Sequence, residues 1–248
     1  MRIECDSSEV HSLFLLPDSH DEYFNSLCKS EQKNRKYELR RLKKEHDIKV
    51  DMISGPVDAL LREFDNFATL HAAQWRAEGR SGHFASWPHG LAYNRALVKA
   101  LGPQDRVRFV RIIADGITVS CQYVFAFAGR WYWELPARLA GPRWDRFGLG
   151  PGGIVTMIGE AIREGVHWIQ GGLGHYDYKL RLGASECPAM RLRIYPLRRA
   201  SLLRKGVFQG IRWALRFCCY KIWYRRVVPR LPARFRRPQS AFWHRWDF

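Results

Sequence analysis

The residues with most chemistry in their types and spacing run from Trp131 to Ala184. The run WYWEL reads as a strand. A glycine-rich loop, RFGLGPGG, follows and opens a helix. A short apolar strand comes next, and a turn delivers Tyr178-Lys179. Strand, glycine loop and helix N-terminus together form an anion-binding device, because free backbone N–H groups and the helix dipole point into the loop. Arg146 can add a guanidinium, and Gly148, Gly150, Gly152 and Gly153 let the backbone approach a ligand closely. The loop is not G-x-x-x-x-G-K-[ST], because no Lys-Ser/Thr pair follows it. Gly148-Leu149-Gly150 only begins like the dinucleotide G-x-G-x-x-G. A plain strand-to-helix turn uses glycines equally well.

Glu134 is the only acid in WYWEL. Its neighbours Trp131, Tyr132 and Trp133 would desolvate it, raise its pKa and suit it to general-base work. The alternative is an exposed glutamate on the polar face of a strand. Alternation along one strand would present His175, Asp177 and Lys179 together. An ion pair between Asp177 and an arginine is the competing reading, and Tyr176 and Tyr178 either donate hydrogen bonds or pack. His71 lies on the apolar face of a helix and reads as a hydrogen-bonded core residue.

These residues need elements to position them. HSLFLL (11–16) reads as a strand and Asp18–His46 as one helix, capped by Asp18 or Ser19. Its half Lys29–Lys44 carries eight Lys/Arg and two Glu. Asp47–Ser54 alternates as a strand. After Gly55-Pro56, Val57, Leu60, Leu61, Phe64, Phe67, Ala68, His71 and Trp75 form an amphipathic helix. A loop over Ala77–Trp87 and a helix over His89–Leu101 follow. Three hairpin-linked strands are expected at Val107–Ala114, Ile117–Ala128 and Trp131–Leu135. A helix at Gly152–Glu164 and strands at Val166–Gln170 and Met190–Leu197 complete the core. The pattern predicts an α/β (α+β) fold with a mixed, largely antiparallel sheet flanked by helices, not a doubly wound parallel sheet.

The 248 residues carry a net charge of +17. Residues 198–248 hold fourteen Lys/Arg and one acid, so the first 197 residues carry only +4. The expected division is 1–55, 56–197 and a basic tail at 198–248. Ser201–Val228 reads as a helix, and RLPARFRRPQSAFWHRWDF after it is basic, aromatic and broken by proline. Packing of the tail helix on the core is the first reading, contact with an anionic membrane the second and nucleic acid the third. Cys5, Cys28, Cys121, Cys187, Cys218 and Cys219 form no C-x-x-C pair, so no metal is expected and reduced cytoplasmic thiols are the simplest reading.

Four stretches carry a family resemblance: DEYFNSLCKSEQKNRKYELRRLKKEH, LHAAQWRAEGRSGHF, the meander ending in GRWYWEL, and GPGGIVTMIGEAIREGVHWIQGGLGHYDYKLRLGA. Together they resemble the CelD-like branch of the GNAT acetyltransferase superfamily, related to the FemABX peptidyltransferases. Family members are longer at the N-terminus, so the chain starts near the middle of the pattern. The pyrophosphate signature is not met cleanly, since Arg146 precedes Gly150 and Gly152 with one residue too many. VHWIQGG has Gln170 where the family has aspartate. The resemblance implies acyl transfer from acyl-CoA to an amine or hydroxyl, with a sugar or polysaccharide precursor as acceptor. It puts the CoA pyrophosphate in the loop Arg146–Gly153, Glu134 beside the acyl group, and Lys179 close to the reaction centre as an oxyanion stabiliser. Trp75 and Arg76 would line the acceptor pocket, with core packing of the helix-end Trp75 as the alternative. Aminoacyl-tRNA as donor, and a non-catalytic relative that binds membrane or nucleic acid through 198–248, are the alternatives.

Overall fold

The computed structural model describes residues 2–80, 82–85, 89–196, 199–227 and 230–231. They divide into two compact units, one made of 9–74 and 94–189, the other of the first eight residues, 75–93 and the chain from Met190 onward.

A seven-stranded sheet has the order β2-β3-β4-β5-β6-β1-β7. Its strands are β1 (Arg2–Leu15), β2 (Ile48–Ile53), β3 (Val107–Ala114), β4 (Ile117–Phe127), β5 (Arg130–Arg138), β6 (Trp168–Leu173) and β7 (Ser185–Tyr195). β2 to β5 form an antiparallel meander, and β6 pairs antiparallel with β1. β5 and β6 are parallel. The fold is thus mixed α/β with a mostly antiparallel sheet and flanking helices.

In the chain, α4 (Gly90–Leu101) and α5 (Pro142–Asp145) lie between the two helices that cover the larger unit's sheet, and periodicity explains both of those. In α6 (Leu149–Arg163), Ile154, Met157, Ile158 and Ala161 are buried at spacings of three and four, in one cluster with Val110, Val124, Trp131 and Trp133. On the other face, Leu60, Phe64, Phe67 and His71 of α3 (Val57–Ala77) are buried, and Phe64 and Phe67 meet Tyr123 and Phe109. His71 is a core residue, its Nδ1 2.9 Å from the Pro136 carbonyl.

Three expectations need correction. The helix expected over 18–46 is two helices, α1 (His20–Ser26) and α2 (Lys29–Glu45). Leu27 and Cys28 are extended, and the Gln32 side chain donates to the Asn25 and Leu27 carbonyls left over at the break. Ser19 is the cap, accepting from the Glu22 N–H at 3.1 Å. α6 begins at Leu149, three residues before Gly152. Tyr178-Lys179 is not on a strand: Gly172 and Gly174, with φ of +81° and +101°, end β6, and α7 (Asp177–Arg181) follows.

The smaller unit carries α8 (Arg199–Leu215), which continues as a π-helical segment at Arg216–Val227. Leu203, Val207, Ile211, Trp213 and Phe217 are exposed, while Lys205 pairs with Glu4 at 2.7 Å. Most of the final basic segment, from Pro232 onward, lies outside the described residues. No described helix is long and apolar enough to cross a membrane.

Candidate active site

The parallel pair β5–β6 sets the site. Its register runs Arg130↔Trp168, Trp131↔Ile169, Tyr132↔Gln170 and stops there, although both strands continue. Each strand bulges just past that point. On β5, Trp133 and Leu135 face consecutive residues of β4, which makes Glu134 the extra residue. On β6, His11↔Leu173 and Leu13↔Gln170 leave Gly171 and Gly172 opposite Ser12 alone. Both glycines are required. A Cβ at Gly171 would crowd Phe14 and Ser12 at 3.0 and 3.1 Å, and Gly172 has a positive φ.

Lys179 fills the gap where the strands part. It is 4% exposed, and Nζ donates to the Gly171 carbonyl at 2.6 Å. It lies 4.5 Å from the Tyr176 ring centroid and 5.7 Å from that of Trp133. Burial lowers its pKa to about 8, only partly opposed by the charge of Glu186. α7 holds it in place: Leu182 N–H donates to the Tyr178 carbonyl, and Ala184 N–H to that of Lys179.

Two residues that sequence reasoning missed stand beside it. His11, half-buried on β1, has a lowered pKa, first through burial and then through the positive charge of Lys179. The Ser12 hydroxyl is buried with no hydrogen-bond partner among the described residues. A histidine within HSLFLL was a visible signal. Its meaning depends on β1 pairing with a strand about 160 residues later.

The expected residues distribute unevenly. Glu134 is exposed, so the expected desolvation is absent: it is the extra residue of the bulge, while Trp133 and Leu135 on either side of it are buried. Tyr178 is partly buried, and burial raises its pKa to about 12. His175 and Asp177 do not share a face with Lys179. His175 is exposed and pairs with Glu186 at 2.8 Å and Asp177 at 3.2 Å, and the Glu186 hydrogen bond raises its pKa. Trp75 and Arg76 belong to the smaller unit, where Trp75 meets His83 edge-on at 5.2 Å.

The glycine loop fits the CoA diphosphate poorly, because α2 supplies acids to it. Arg146 is ion-paired with Glu45. The Glu38 carboxylate, on the same face of α2, lies against Gly148, the N-cap of α6, so closely that a Cβ there would overlap it. Burial raises the pKa of Glu38, with Arg35 at 2.6 Å opposing. Pro151 has no N–H to offer in the first turn. Gly150 and Gly152 are unobstructed by such contacts, whereas Gly153 serves packing against Ser120 and Gln122. The loop thus offers a diphosphate a carboxylate and a guanidinium already engaged. Among the described residues no group of His, Cys, Asp and Glu has the arrangement of a metal site.

No curated protein matches the chain. The crystal structure of FemX superposes with a TM-score of 0.56 at 11% identity, covering 82% of this chain and 63% of that one. The C-terminal domain of a putative lysylphosphatidylglycerol synthetase from Agrobacterium fabrum gives 0.51 at 10% identity, covering 83% and 65%. The chain spans less than two thirds of either structure, and at such identity the likeness is one of fold. Residues 29–180, more than half of the sequence, match the acetyltransferase (GNAT) domain family, and the chain belongs to it.

Proposed function

We propose that the chain is an acyltransferase of the CelD-like branch, transferring an acyl group from an activated ester to an amine or hydroxyl where β5 and β6 part. The observation that carries this is Lys179, a buried ammonium aimed at backbone freed by two facing bulges. The acceptor's N or O attacks the ester carbonyl, and the charge that develops on its oxygen is met by Lys179. His11, kept neutral by burial and by Lys179, takes the acceptor's proton and returns it to the leaving group as the ester bond breaks. Glu134, at the same level of β5, contacts the acceptor.

The carboxylate of Glu38 at the start of α6 favours a donor that is not held there by a diphosphate, and an aminoacyl ester carried by tRNA meets that condition. The name lysylphosphatidylglycerol synthetase joins an amino acid to a lipid and is compatible with it. Family membership favours acyl-CoA as the second reading, with Glu38 displaced or protonated. A sugar or polysaccharide precursor is the acceptor class that the resemblance to the CelD-like branch favours. The exposed Leu203, Val207, Ile211 and Trp213 of the basic tail suit the chain to the cytoplasmic face of an anionic membrane.

The test supplies the purified chain with labelled aminoacyl-tRNA or acetyl-CoA, and with amino sugars, oligosaccharides or anionic vesicles as acceptors. Labelled product from aminoacyl-tRNA, lost on RNase treatment and in Lys179→Met, is expected. Product from acetyl-CoA alone overturns the choice of donor, and full activity of Lys179→Met overturns the site.

A further inference from the structure

One end of the sheet carries an alternating series of cations and aromatic rings that the transfer site does not use. Arg106 immediately precedes β3, and its guanidinium carbon lies 4.7 Å from the Phe127 ring centroid. Phe127, the last residue of β4, pairs directly with Arg130, the first of β5. Arg130 pairs with Trp168, the first of β6, and its guanidinium lies 3.8 Å from the Trp168 ring centroid. Register therefore aligns Phe127, Arg130 and Trp168 across three strands, a span of about 10 Å at ordinary strand spacing, and Arg106, opposite Ala126 in register, reaches the Phe127 ring with its guanidinium.

The series borders a cleft of about 350 Å³. Arg108 in its wall is neutralised by Asp105 at 2.8 Å and Glu164 at 3.0 Å. Arg106 and Arg130 have no carboxylate partner among the described residues, and Phe127 is 51% exposed. The turn between Phe127 and Arg130 is Ala128-Gly129, both with positive φ. Two charges whose planes rest on rings, with their N–H edges uncommitted, suit phosphates. Exposed ring and guanidinium faces suit unpaired bases.

We propose that Arg106, Phe127, Arg130 and Trp168 form a binding surface for a single-stranded RNA segment. Its role as a docking site for the donor's unpaired end rests on the aminoacyl-RNA reading above. Trp168 and Gly171 are three residues apart on β6, so the surface lies about 10 Å along the strand from the carbonyl that Lys179 holds. A strand bound there has its end within reach of the transfer site.

The experiment measures anisotropy of a labelled single-stranded RNA oligonucleotide with the full-length chain over a range of salt concentrations. The variants are Arg106→Ala/Arg130→Ala and Phe127→Ala, all at the surface, with circular dichroism as the check on folding. The double arginine variant is expected to bind at least tenfold more weakly and to flatten the slope of log K against log salt by about 1.4. Phe127→Ala is expected to weaken binding about tenfold with the slope unchanged. Double-stranded RNA is expected to compete poorly. Wild-type binding by the double arginine variant assigns the affinity to the basic tail and overturns the proposal. An unaffected Phe127→Ala, or equal competition by duplex, leaves only a charge patch and overturns it too. Binding is read without turnover: RNA held on this surface without aminoacyl transfer would count against the donor reading alone, and acyl transfer without RNA binding against this surface.

Discussion

The ammonium of Lys179 is hydrogen-bonded at 2.6 Å to the Gly171 carbonyl, one residue beyond the last paired position of β5 and β6. A sheet that continued its ladder would give that carbonyl a backbone N–H from β5. Here the bulge at Glu134 withdraws β5, and a lysine from α7 takes its place. Burying an ammonium costs stability, so this arrangement is poorly explained by folding alone. Lys179→Met keeps the unbranched stem and removes the charge. It should lower transfer about 10²- to 10³-fold, the usual loss on removing one oxyanion donor. Thermal melting should show an unchanged or higher midpoint. A large fall in midpoint with proportionate loss of activity would make Lys179 merely structural.

The same charge sets the pH dependence. The proposed transfer requires neutral His11, whose pKa is below its ordinary 6.5, and protonated Lys179, whose pKa is about 8. The rate should rise with pH below 6.5 and fall as pH passes through about 8. His11→Gln should remove the acid limb, and Lys179→Arg should move the alkaline limb beyond the measurable range. Stability follows with its own sign. Between about 8 and 10.5 the unfolded chain binds the proton that folded Lys179 has lost, so this group makes stability increase with pH across that window. Urea titrations of wild type and Lys179→Met at pH 7.5 and about 10 should show the wild type gaining relative to the variant. A parallel pair of curves would place the lysine in water.

Glu38 makes a separate prediction, read by calorimetry with CoA. Its carboxylate sits at the positive end of the α6 dipole, where it competes with any incoming phosphate. Glu38→Gln should strengthen CoA binding by about tenfold, the scale of one charge at a helix end. Burial places the Glu38 pKa above its ordinary 4.5. Wild-type affinity should therefore increase as pH falls toward that range, and the glutamine variant should lack the increase. Equal affinity in both proteins would remove the carboxylate from the cradle.

Local pattern carried most of the fold. Val107–Ala114 is β3 as expected, because a hairpin strand between turn residues is written in its own alternation. The site was less legible, for physical reasons tied to particular residues. Tyr178, Lys179 and Leu180 alternate in polarity like a strand, yet Gly172 and Gly174 turn the chain and Tyr178 N-terminal to Leu182 closes a helical turn. His11 gains its role from a pairing with β6, and Glu38 from an approach of α2 to α6, both distant in sequence. Glu134 was read from its aromatic neighbours, but it is the extra residue of a bulge set by the pairing with β4, and its neighbours are buried while it is not. The glycines of the loop were visible, but which of them serves a ligand and which serves packing was not.

Gly152 and Gly153 separate those two roles in one experiment. A Cβ at Gly153 would overlap the Ser120 hydroxyl and the Gln122 amide, whereas Gly152 has open space around it. Ser120 donates to the Leu149 carbonyl at 3.2 Å, and Gln122 accepts from the Trp133 indole N–H at 3.0 Å. Trp133 in turn lies beneath Lys179. Gly153→Ala should therefore push Gln122 away, destabilise the protein by about 1–3 kcal/mol, and release Trp133. Gly152→Ala lies in a helix with no neighbour to meet, so it should be neutral or stabilise by up to about 1 kcal/mol. Denaturant melts and transfer rates of the two variants give the answer together. Glycines that cradle a diphosphate would make both substitutions harmful to donor binding with little effect on stability. Glycines that set the spacing between α6 and the sheet make only the second position costly, and make its cost appear at Lys179.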